Sequence, residues 1–144
     1  MAAPSLFKVQ EALFDHLKDN YTTSPIAWPN VVFDPKTQAD SLTGWVRPAI
    51  IPIDNVQETI NGDDNTAGTK VQGFLQIAIF TPVGVGPGKG YEISDELTAL
   101  FNKVNLTLSG NSERLSVLVP KTFQVKAEPQ WFHLNLNVDF HYHT

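Results

Sequence analysis

Three histidines near the end of the sequence, His133, His141 and His143, with Asp139 between the first two, are the residue types here best suited to site chemistry. A His-x-His pair on an extended strand puts two imidazoles on one side, where they can grip zinc or another transition metal. His133 lies eight residues before His141, roughly 26 Å at strand spacing, so it can join the pair only from another strand or subunit. The plainer reading is the polar face of a sheet. No metal and no cofactor is assigned to it.

Gly84-Val85-Gly86-Pro87-Gly88-Lys89-Gly90 resembles a phosphate-binding loop, in which successive backbone N–H groups and a lysine cradle an anion. The spacing fails. Val83 stands where the first glycine of such a loop belongs, and Gly90 replaces the hydroxyl residue after the lysine. The glycines suit a strand-to-helix connection instead. The carboxylates gather in Asp54, Glu58, Asp63 and Asp64, yet Asn61-Gly62-Asp63-Asp64-Asn65 lacks the alternating ligands and closing Glu of a calcium loop. With no cysteine and no Gly-x-Ser-x-Gly elbow, neither thiolate catalysis nor a serine triad suggests itself, so the chain reads as no enzyme.

Composition narrows the partners. Ten Lys plus Arg against fifteen Asp plus Glu give a net charge of −5, with the basic residues scattered, so there is no positive footprint for nucleic acid. Apolar residues make up 42% and charged residues 17%, which over 144 residues supports one folded domain spanning 1–144 with a real core. The first residues lack the apolar region of a signal peptide, and no apolar run approaches the roughly 20 residues that cross a bilayer. A cytoplasm-like compartment is expected, and the glycosylation pattern Asn105-Leu106-Thr107 is read as chance.

Periodicity places these residues on elements. From Ser5 to Asp19, Leu6, Val9, Leu13 and Leu17 share one helical face, opposite Lys8, Glu11, Asp15 and Lys18. Ile26 to Phe33 reads as an extended segment with a bend at Trp28-Pro29, and Asp34 to Thr43 as a polar loop. In Gly44 to Ile53, Pro48 and Pro52 remove donors from the same side of a strand, which predicts a sheet edge or a bulge. Asp54 to Lys70 reads as an unusually long hairpin loop leading to a buried strand, Val71 to Thr81. After the Gly/Pro loop, Ile93, Leu97, Leu100, Phe101 and Val104 predict a second helix from about Tyr91 to Val104. Short strands follow at Leu115 to Val119 and Thr122 to Ala127. Trp131 to His143 then alternates, with Phe132, Leu134, Leu136, Val138, Phe140 and Tyr142 inward and the histidines on a wet face. The expected class is α+β: a mainly antiparallel (mixed) sheet with two amphipathic helices packed on one face and a long β-hairpin loop.

The order of these motifs resembles the tail terminator, or tail completion, proteins of long-tailed bacteriophages. An amphipathic helix is followed by Ile26-Ala27-Trp28-Pro29-Asn30-Val31-Val32-Phe33, then Trp45-Val46-Arg47-Pro48, then Gly73 to Pro82, a Gly-rich turn, a helix, and a final strand with Trp131-Phe132-His133-Leu134. The resemblance covers Leu6 to Tyr142 and implies a virion protein at the head-proximal end of the tail. In that role a homohexameric ring would cap the major tail tube protein, end its polymerisation and offer a surface to head-tail connector proteins, while DNA passes through the lumen without specific binding. The family carries no catalytic residues. Asp54, Glu58, Asp63, Asp64, Lys70 and Lys89 are the candidate tube or subunit contacts. The rivals are a neck connector of the same virion and, more distantly, a metal- or ligand-binding module built on the histidines.

Overall fold

The computed structural model describes residues 6–33, 44–57, 69–84, 86–107, 114–125 and 131–143. Helix α1, Leu6–Asn20, buries Val9, Leu13 and Leu17, which recur every four residues and so fall on one stripe. Lys18 sits in its last turn, where a cation suits the helix dipole. The Asn20 side-chain amide donates to the His16 carbonyl at 2.9 Å, which helps satisfy an exposed group at the helix end.

Strand β1, Trp45–Gln57, pairs antiparallel with β2, Thr69–Pro82, and β2 pairs antiparallel with the last strand, β6, Trp131–His143. Helix α2, Gly88–Phe101, and three short strands, β3 (Asn105–Thr107), β4 (Arg114–Val117) and β5 (Lys121–Gln124), lie between β2 and β6 in sequence. The sheet order is β1-β2-β6-β4-β3, with β5 also beside β6. β4 pairs with Phe140 and His141 of β6, and β5 pairs with Leu134 to Asn137. They are two pieces of one border strand, interrupted around Pro120. The named strands pair antiparallel, and a parallel bridge joins Ile26 to Val46. The class is α+β with a mainly antiparallel sheet.

One face of the sheet supplies Leu75, Ile77 and Ile79 from β2 and Leu134, Leu136, Val138, Phe140 and Tyr142 from β6 to the main core. Val9, Leu13 and Leu17 of α1 and Ile93, Leu97 and Phe101 of α2 join that same cluster. Each such aliphatic or aromatic side chain contributes about 1.5–3 kcal/mol by leaving water. Gly90 lets α2 come close to β6: a Cβ there would press on Leu134 and Phe132 at 3.1 and 3.3 Å. Gly44 opens β1 with φ +76°, and a Cβ would collide with the Phe80 carbonyl oxygen.

Four expectations need correction. The hairpin loop is shorter than Asp54 to Lys70, because β1 runs on to Gln57 and β2 begins at Thr69, with a register shift between Pro52 and Asp54 that lets pairing continue. α2 begins at Gly88 rather than Tyr91, since Pro87 already holds helical torsions of −83° and −11°. It ends at Phe101 rather than Val104, and after Lys103, at φ 54°, Asn105–Thr107 forms strand β3. The outer face of β6 is not wet throughout, as set out below. The polar stretch Asp34 to Thr43 lies outside the described residues.

Candidate functional site at the sheet margins

In an antiparallel ladder the N–H and C=O of one residue point to the same side, and sides alternate along the strand. Val46 donates its N–H outward to the Pro25 carbonyl at 3.1 Å and accepts from the Ala27 N–H at 2.7 Å. Val46, Pro48, Ile50 and Pro52 therefore all aim their backbone groups away from β2. Two of these four are prolines and a third is taken, so among the described residues Ile50 keeps the one outward N–H of the four with no such engagement. From Val46 to Pro52 the edge is a poor partner for a further strand.

The strap that closes it is fastened from below. Tyr21 and Ser24 share a hydroxyl hydrogen bond of 2.5 Å, and both are buried. Burial pushes the Tyr21 phenol up from 10.0 to about 12, against a pull from the Ser24 hydrogen bond and with a lesser push from Glu96. Thr23 donates to the Glu96 carboxylate of α2 at 2.7 Å, and His16 Nε2 hydrogen-bonds the Leu100 carbonyl at 2.9 Å. Between α1 and this strap opens a groove of about 660 Å³, walled by Phe7, Phe14, Trp28, Pro29 and Ile50, with Asp15 and Lys18 on its rim.

The opposite margin is finished differently. Val125 donates its N–H to the His133 carbonyl at 3.1 Å, so Lys121, Phe123 and Val125 point their backbone groups into the sheet. Thr122 and Gln124 then point theirs outward, two donors and two acceptors with no strand beyond them among the described residues. All four β5 side chains are exposed, and so are Leu118 and Val119 just before them. The Thr122 hydroxyl reaches Ser94 of α2 at 2.5 Å, which puts Phe123 on the sheet's outer face.

That outer face carries a second cluster. Trp45 stacks on Phe80 with ring centroids 4.1 Å apart, Phe80 stacks on His133 at 4.3 Å, and Trp131 meets Trp45 edge-on at 6.0 Å. The exposed Arg47 guanidinium lies 4.8 Å from the Trp45 ring and 5.8 Å from Phe80. His133, expected on a wet face, and Trp131 beside it on the same face thus belong to an aromatic patch. Farther along, the face is polar as expected: Gln76 meets Asn137 at 3.4 Å, and Asp139 and His141 are half-buried.

The histidines do not converge on a metal. His133 hydrogen-bonds Asn135 at 2.9 Å. Among the described residues no group of three His, Asp or Glu side chains is placed to hold an ion. The candidate contacts are scattered. Asp54 falls in β1 opposite Gln72, and Lys70 in β2 opposite Val56 and His143, so both sit on strands rather than in a loop. Glu58, Asp63 and Asp64 lie outside the described residues. Lys89, half-buried in the first turn of α2, lies 3.9 Å from exposed Glu92, a pair that contributes little. Sequence reasoning missed the groove and the open β5 edge. The exposed pattern of Lys-Thr-Phe-Gln carries no periodicity to announce it.

Comparison with known proteins gives two findings. A family model described as phage tail terminator protein matches residues 8–140. A solved structure aligns with TM-score 0.70 at 20% identity, covering 97% of this chain and 96% of that one, which establishes a shared fold. No curated protein matches in sequence.

Proposed function

The chain belongs to the phage tail terminator protein family, and from that premise we propose that it is a structural, non-enzymatic virion protein capping the tail tube. The match over residues 8–140 carries this reading. In it, six copies close a ring on the last layer of the major tail tube protein, at the head-proximal end of the tail. The ring ends polymerisation and offers its other surface to the head's connector proteins. The acidic balance of −5 suits a lumen through which DNA slides without sticking. The β1–β2 hairpin, with Asp54, Glu58, Asp63, Asp64 and Lys70, and Lys89 at the start of α2, are the parts assigned to the tube or a neighbour.

Closure explains termination. A head-to-tail contact between identical subunits either runs on as a filament or closes as a ring, and a closed ring leaves no lateral site to add to. The test is elongation of purified tube protein with and without this chain. Growth that stops on addition, with density at one tube end in electron micrographs, supports the reading. Tubes that keep growing with the protein bound along their length, or not at all, would move it to another part of the neck.

A further inference from the structure

The two faces of the molecule carry opposite charge. Helix α1 holds Glu11, Asp15 and Asp19 against Lys8 and Lys18, and α2 holds Glu92, Asp95 and Glu96 against Lys89, six carboxylates to three ammonium groups. The sheet's outer face is the reverse. Its register lays the side chains in cross-strand rows, one of which leads from Arg47 through Ala78 and Asn135 to Phe123. The next runs from Ala49 through Gln76 and Asn137 to Lys121. These two rows and the Trp45–Phe80–His133 row beside them contain no carboxylate, and their fixed charges are Arg47 and Lys121, both exposed. Asp139 stands one row farther on, opposite Phe74, and among the described residues no ion pair joins it to either cation. Both helices join the core cluster of the opposite face, so neither covers these rows.

Arg47 is also held in place. Its guanidinium lies over the Trp45 and Phe80 rings, which fixes the fork while its N–H donors stay unspent among the described residues. We propose that this outer face docks an acidic, extended segment of another tail protein, with one carboxylate gripped by Arg47 and a second by Lys121. This rests on the family reading only for where the partner is found.

Three strand spacings and one row separate the two cations, roughly 16 Å between backbones. Carboxylates about four residues apart lie on one side of an extended chain and span that distance once the Lys121 stem leans in. Between the cations, the amides of Gln76, Asn135 and Asn137 offer donors and acceptors to a peptide backbone. Exposed Phe123 adds an apolar contact at one end. Nucleic acid fits worse, because duplex DNA carries a charge about every 1.7 Å and two cations so far apart neutralise too few of them.

The test treats tails assembled with this chain with a carbodiimide, which joins a lysine amine to a carboxylate in contact with it. The expected product is an amide between Lys121 and an Asp or Glu of a different tail protein, reduced about tenfold or more by Arg47→Gln. A Lys121 link confined to copies of this chain, a link that Arg47→Gln leaves unchanged, or no Lys121 link in tails that hold the chain would each overturn the proposal while leaving the family reading intact. Absence of the chain from tails would overturn both. As a second measurement, Lys121→Glu, at an exposed position, should weaken retention of the chain on tails about tenfold with the melting temperature unchanged. Unchanged retention would also overturn the proposal.

Discussion

Pro48 and Pro52 take outward N–H groups away from β1, and the Pro25–Ala27 strap occupies what Val46 still offers, whereas β5 keeps the outward N–H and C=O of Thr122 and Gln124. The sheet is thus closed by chemistry along Val46 to Pro52 on one side and left open along β5 on the other. Two closed edges would make a protein that pairs with nothing through its sheet. Two open edges would invite indefinite strand addition. One of each makes the two margins unlike, which is the polarity that the proposed head-to-tail ring would use.

The closed margin depends most on Trp45, which is stacked on Phe80 and 4% exposed. Trp45→Ala should lower unfolding free energy by about 3–5 kcal/mol, measured by denaturant titration. A loss under about 1 kcal/mol would mean that the outer-face cluster does not brace this margin.

Alkali should loosen the strap. Tyr21 ionises near 12 when folded and near 10.0 when unfolded, so its neutral form is favoured in the native state. The resulting stability is complete below pH 10 and fades as pH rises toward 12, amounting to roughly 2–3 kcal/mol. Tyr21→Phe should flatten that part of the pH profile. A variant with the same alkaline slope as the parent would show that another group is responsible.

The open margin gives the smallest effect and the sharpest contrast. Phe123→Pro removes an inward N–H that pairs with β6 and should cost about 1–3 kcal/mol. Gln124→Pro, one residue on, removes only an outward N–H and should stay within about 0.5 kcal/mol. Equal losses would break the assignment of which side of β5 faces out.

Much of this fold was legible from pattern. The spacing of Val9, Leu13 and Leu17 marks α1, the alternation of Leu134 to Tyr142 marks β6, and Pro48 with Pro52 marks a sheet edge. What pattern could not show depends on contacts between distant segments. Alternation puts Trp131 and His133 opposite the core, but only the arrival of Trp45 and Phe80 from two other strands makes that place an aromatic patch. The register shift after Pro52 fits the bulge that the prolines predict, but how far pairing then runs, to Gln57 and Thr69, depends on two segments meeting. The groove is formed jointly by a helix, a turn and an edge strand, so no single stretch of sequence contains it.

The most direct test of the whole account is electron microscopy of tails from phage particles assembled with this chain absent and then restored. The account predicts overlong, headless tails in its absence and normal tails on restoration. Tails of normal length without the chain would contradict it.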